Sequence, residues 1–162
     1  MGTPATQRTS SSKAKKTKHV IAENRIFFGV ESIARVPLAS GLLSGRYRHD
    51  TTFAADDHRA YNRHGEAFDV GETFSGVPYD VGLAAVERIR PLVRGDATMA
   101  QLALRWILMF DPVTVVIPGA KNAAQALANA RAADLPWLSD ADMAALKAIY
   151  DEDIRPHVHQ RW

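Results

Sequence analysis

Between residues 99 and 110 apolar side chains recur as Met99, Leu102, Ala103, Trp106, Ile107 and Phe110. This i, i+3, i+4, i+7, i+8, i+11 series turns one face of a helix toward a core. Thr98 and Gln101 stand ahead of it in the spacing of a capping box. An earlier series, Leu83, Val86, Ile89 and Leu92, returns every three residues and predicts a helix from Tyr79 to about Val93 that Pro91 kinks or ends. Asn122 as N-cap predicts a helix through Ala132, and Ser139 with Asp142 predicts another through about Tyr150. Two stretches follow a different rule. "ESIARVPL" (31–38) reads as a buried strand ending at Pro37, and "VTVVI" (113–117) as a strand buried on both faces. Buried strands separated by long helical segments indicate parallel βαβ units, whose ligands sit at the carboxyl ends of the strands.

Elsewhere the pattern weakens. The polar stretch from Arg46 to Pro78 carries only scattered aromatics (Tyr47, Phe53, Tyr61, Phe68, Phe74) and reads as a long loop, the size of which points to a functional cover or disorder. Within it "FAADDHR" and "NRHGE" mix charges as a solvated loop does. Trp106 and Trp137 read as core residues. Residues 1–25 hold six of the twenty Lys/Arg and one of the eighteen acids, so the net charge of +2 belongs to this segment and the remainder carries 14 basic against 17 acidic residues. With almost no apolar residues, 1–25 reads as a disordered basic tail preceding a 26–162 domain. No aromatics are interleaved with its charges, so a solvated extension is favoured over a nucleic-acid arm.

Composition narrows the chemistry. A chain of 162 residues that is 46% hydrophobic can bury one core. The absence of cysteine removes disulfides and thiolate chemistry and points to a reducing interior, with the cytoplasm as the default location. No apolar run approaches the roughly 20 residues a bilayer span requires. His157 and His159 alternate as ligands on a strand would, but no convergent carboxylate supports a metal site.

Two glycine-containing corners, "PLASGLLSG" and "PGAKN", follow the two strands. Gly41 and Gly45 allow close backbone approach to an oxyanion, and Arg46 follows with a planar fork suited to phosphate. In the second corner Gly119 removes bulk, Lys121 supplies charge, and the amides opening the Asn122 helix point outward. Gln125 and Asn129 lie one and two turns further on the same face. Two anion sites at neighbouring strand ends suit a ligand with separated phosphates, such as a dinucleotide.

The segments "IARVPLASGLLSGRY", "FSGV", "MAQLALRWIL", "VTVVIPGAKNAAQALAN" and "LSDADM" together resemble the carboxyl-terminal part of the aldo-keto reductases, NADPH-dependent oxidoreductases on a (β/α)8 barrel. The resemblance covers about residues 31 to 162. It implies an α/β fold that is a partial TIM barrel, its last two strands with their helices. It further implies that the backbone of Pro37, Leu38, Ala39, Ser40 and Gly41 lines the pyrophosphate of NADP with Arg46 as cationic partner. Gly119, Lys121, Gln125 and Asn129 would hold the adenosine end, and Arg59 or Arg63 would add a contact. Ala128 stands where the family commonly has a glutamate against adenine. Trp162 would lie at the barrel mouth.

The same resemblance implies reduction of an aldehyde or ketone, with a small-molecule carbonyl substrate and no nucleic-acid or membrane partner. The family's proton-donating tyrosine and its lysine, aspartate and histidine companions lie in the first half of the barrel, which has no matching segment here, as if the reading frame were truncated. Tyr61, flanked by Arg59 and Arg63, is the one candidate acid among the tyrosines. No catalytic residue is therefore expected in this chain. The alternative expectation is a catalytically inactive partial barrel that binds nucleotide weakly or self-associates through open strand edges.

Overall fold

A computed structural model describes residues 32–161. The chain divides into two units, Met1–Val30 and Glu31–Trp162, and the architecture below is that of the second. The expected basic tail and the role expected of Trp162 lie outside the described residues.

Two strands, β1 (Ser32–Arg35) and β2 (Val113–Ile117), pair in parallel with Ile33 opposite Val115 and Arg35 opposite Ile117. Between them lie α1 (His58–Tyr61), α2 (Tyr79–Ile89) and α3 (Met99–Ile107), and after them α4 (Ala123–Ala130) and α5 (Asp140–Ile149). The last helix runs through a π-helical turn, Tyr150–Ile154, into α6 (Arg155–Val158). A crossover containing helices between two neighbouring parallel strands is the βαβ arrangement.

The helix ends follow their local chemistry. Thr98 and Gln101 form the expected capping box on α3, Ser139 and Asp142 form one on α5, and the Asn122 side chain accepts from the Gln125 N–H at the start of α4. Pro91 ends α2, which tightens into a 3-10 turn at Arg90–Leu92. The α3 stripe is broader than the spacing predicts. Met99, Leu102, Leu104 and Arg105 are buried while Ala103, Trp106, Ile107 and Phe110 are half-buried. Arg105 is accommodated because its guanidinium donates to the carbonyls of Ala133 and Pro136. It also stacks over Trp137, which is 74% exposed and thus not a core residue.

The strands are not buried on both faces. Ile33 and Ile117 are 63% and 58% exposed, and Val115 and Arg35 share their face, whereas Ala34 and Val116 on the opposite face are half-buried. The apolar run in β2 is compatible with two covered faces, but one face of this two-stranded sheet has no layer over it among the described residues.

The core instead gathers Leu42, Phe74, Tyr79, Leu83, Val86 and Met99. The 46–78 stretch is therefore no structureless loop. It folds into α1 and two single 3-10 turns, and its aromatics enter the core: Phe74 is 1% exposed, its ring 5.1 Å from that of Tyr79, with Tyr47 and Phe53 packed beside them. Fully buried Asn62 organises the turn after α1, its carbonyl accepting from the Ala67 and Phe68 N–H groups while its amide donates to Thr73 Oγ1. Gly82 lets α2 approach this core, because a Cβ there would meet Leu42 Cδ2.

Candidate functional site

Parallel pairing brings the two glycine corners together at their roots. Arg35 and Ile117 are register partners, so "PLASG" and "PGAKN" both leave the same end of the sheet from adjacent strands about 4.8 Å apart. Pro37 is buried, and Leu38, Ala39, Ser40 and Gly41 are half-buried. The first corner is held in left-handed backbone, with φ of 51° at Val36, 47° at Ala39, 55° at Ser40 and 90° at Gly41. Each such non-glycine residue costs on the order of 1 kcal/mol or more and persists only where its surroundings enforce it.

Part of that enforcement is internal. The N–H groups of Ala39 and Gly41 donate to Val36 and Leu38 carbonyls, and Leu43 donates to Leu38 as well, so these amides shape the turn. The rest comes from the 46–78 segment. The Ser40 carbonyl accepts from Tyr47 Oη and Arg59 Nη1, each at 3.3 Å. Its hydroxyl donates to the Glu72 carbonyl at 3.4 Å and accepts from the Phe74 N–H at 3.2 Å. Arg59 also donates to Tyr47 Oη and stacks over the Phe53 ring at 4.7 Å.

Asp57 fixes Arg59. It caps α1 by accepting the Arg59 N–H at 2.9 Å, accepts from Nε at 2.8 Å, and pairs with Nη2. Hydrogen bonds from Arg59 hold the Asp57 carboxyl down at about 2, and the carboxylate in turn raises the guanidinium's affinity for its proton. Burial pushes the Tyr47 hydroxyl up, with Arg59 opposing. "FAADDHR", expected as solvated charge, thus contains a largely buried ion pair. Arg63 stacks over Tyr79 at 4.7 Å and over the same Phe53 ring at 5.5 Å, and donates to the Arg59 carbonyl at 3.2 Å.

The second corner is more open. Gly119 and Lys121 are exposed, and a Cβ at Gly119 would meet nothing. Gln125 accepts from the Lys121 N–H at 2.7 Å and Asn129 donates to the Gly119 carbonyl at 3.2 Å, so both predicted ligands shape the corner. Ala128, in place of the expected glutamate, accepts from Gln101 through its carbonyl. Arg46 and Lys121 are exposed, and no carboxylate among the described residues pairs with either. Two unpaired cations and the opening amides of α4 suit phosphate oxygens.

The residues 10–151 match the sequence model of the aldo/keto reductase family. The chain belongs to that family. Its members generally use nicotinamide cofactors. The match begins within the segment read as a basic tail. An aldo-keto reductase of Strobilurus tenacellus is 29% identical over 86% of this chain and 39% of its own length. An L-glyceraldehyde 3-phosphate reductase of Escherichia coli K12 is 32% identical over 73% of this chain and 33% of its own. The chain thus aligns with between a third and two fifths of these aldo-keto reductase relatives. The two-stranded parallel sheet agrees with part of the family's barrel.

Of the four tyrosines, Tyr150 stands between Lys147 and Asp151, which pair with each other along the same helical run. Tyr61 is exposed against Phe68, Tyr79 donates to the Arg48 carbonyl, and Tyr150 contacts His159. The tyrosine that meets Arg59 is Tyr47. The sequence reading missed the Tyr47–Asp57–Arg59 set as a unit. Its one local signal is Asp57 standing two residues before an arginine at a helix start, as an N-cap does. Among the described residues no group of three or more His, Asp or Glu could hold a metal ion, and no helix is long and apolar enough to cross a membrane.

Proposed function

We propose that this chain supplies the NADP-holding segment of an aldo-keto reductase, acting in NADPH-dependent reduction of an aldehyde or ketone in the cytoplasm. The observation that carries the reading is the departure of both glycine corners from one end of one parallel strand pair, each followed by an exposed, unpaired cation. The left-handed Val36–Gly41 turn would bear the pyrophosphate with Arg46 beside it. Gly119, Lys121, Gln125 and Asn129 would hold the adenosine end, with Lys121 toward the 2′-phosphate. The nicotinamide supplies hydride when bound. Arg59, already fixed by Asp57 and Tyr47, would add positive potential at the pyrophosphate end. In this reading the residues of the two corners bind and orient the cofactor.

A phosphorylated aldehyde, as in the name of the Escherichia coli relative, is one substrate class to test. Turnover of D- and L-glyceraldehyde 3-phosphate and of 4-nitrobenzaldehyde by the purified chain, followed as loss of NADPH absorbance, tests the enzymatic reading. A rate that depends on NADPH and is abolished by Lys121→Glu supports it. Tight NADPH binding without turnover supports cofactor holding alone.

A second reading has its own observation. Ile33, Val115 and Ile117 present an apolar sheet face beside strand edges that no further strand covers among the described residues, which favours self-association of a catalytically silent partial barrel. Sedimentation velocity separates the two: a concentration-dependent dimer with no NADPH binding is the silent module.

A further inference from the structure

The Ser40–Gly41 peptide is held at both its carbonyl and its amide. Its carbonyl accepts from Tyr47 Oη and Arg59 Nη1, while the next amide, Gly41 N–H, is committed to Leu38 O at 2.9 Å. Both ends of the Ser40–Gly41 peptide unit are thereby fixed, although Ser40 has a φ of 55° that its Cβ disfavours. Gly41 has a φ of 90°, and a Cβ there would collide with Tyr47 Oη. Tyr47 therefore needs a glycine opposite it, and the turn gains a hydroxyl that both accepts from Arg59 and donates to Ser40.

Nothing about this arrangement is required for packing alone. The Tyr47 ring makes edge contacts with Phe53 at 5.2 Å and Phe74 at 6.4 Å, which a phenylalanine would keep. The hydroxyl instead links the aromatic core to the corner whose backbone is left-handed at Val36 and again at Ala39, Ser40 and Gly41. Asp57 completes the set by removing the Arg59 guanidinium's rotational freedom through two contacts, at Nε and Nη2.

We propose that Tyr47 is a positioning residue for the dinucleotide's pyrophosphate: through its hydroxyl, with Arg59 held by Asp57, it fixes the orientation of the Ser40–Gly41 peptide and so the outline of the first corner that the pyrophosphate would meet. This rests on the reading that the corner holds NADP. Its consequence is selective. Ligands that reach the first corner depend on the hydroxyl, and ligands confined to the Lys121 corner do not.

The test is calorimetric titration of the full chain and of Tyr47→Phe with two probes, NADPH and adenosine 2′,5′-bisphosphate, with thermal unfolding in parallel. One lost hydrogen bond predicts a weakening of NADPH of about five- to tenfold. Adenosine 2′,5′-bisphosphate keeps its affinity within about twofold, and the unfolding midpoint falls by no more than a few degrees. Should Tyr47→Phe fail to fold, Arg59→Lys, which keeps the charge at this end but loses the planar fork that reaches Ser40 O and Tyr47 Oη, is read in the same way. Equal losses for both probes, or an unchanged NADPH affinity, overturn the positioning role while leaving cofactor holding intact. A parent chain that binds neither probe overturns the functional reading and this inference together.

Discussion

Replacing Asp57 by asparagine should cost stability in a way that depends on pH, and the structure sets both the size and the window. The carboxylate is four-fifths buried against Arg59, and its folded-state pKa is about 2 against an ordinary 3.8. A depressed carboxylate stabilises the fold above its unfolded value and loses that contribution as pH falls through the folded one. A carboxylate lowered from 3.8 to about 2 contributes about 2 kcal/mol, fully present at pH 6, about half present at pH 3 and mostly gone at pH 2. Asparagine keeps the shape and part of the N-cap but carries no charge, so it mimics the protonated acid at every pH. Urea unfolding of parent and Asp57→Asn at pH 6, 4 and 3 should show a stability gap of about 2 kcal/mol that closes as the solution is acidified. A gap that stays constant from pH 6 to pH 3 would refute the reasoning, because the loss would then come from packing or capping and not from the ion pair.

Two further outcomes follow from packing. Gly82→Ala gains about 1 kcal/mol of helix propensity but forces Leu42, which is buried, off its seat, so the net effect should be a loss of about 1 kcal/mol, read as a midpoint about 3 °C lower; an unchanged or raised midpoint contradicts the close approach. Ile117→Lys on the uncovered sheet face should leave the thermal midpoint nearly unchanged and shift sedimentation toward monomer, and an unaltered association constant would show that this face is not the sticky one.

What the sequence made legible was local. The caps at Thr98, Asn122 and Ser139 and the break at Pro91 depend on residues within one turn of one another, so spacing alone located them. The two corners were also legible, because strand, glycine and cation follow in order, and parallel pairing supplied their common end. The covering of the strands was not, since a β-branched run such as "VTVVI" reads the same whether one face or two are covered. Nor was the 46–78 segment, whose order comes from contacts across long separations: Ser40 with Phe74, Asn62 with Thr73, Tyr47 with Arg59. Aromatics without period 2 or 3.6 give no signal of a shared core until the chain has folded back on itself. Trp137 shows the converse, a large ring read as core that covers the Arg105 guanidinium at the surface.

The most direct test of the central claim, that both corners serve one phosphorylated guest, is the NADPH dissociation constant of the parent, of Arg46→Ala, of Lys121→Ala and of the double variant. A stoichiometry of one per chain is predicted, with each substitution weakening binding by roughly tenfold as a charge-assisted contact to phosphate is lost. Binding that ignores either cation, or that occurs at two independent sites, would contradict it.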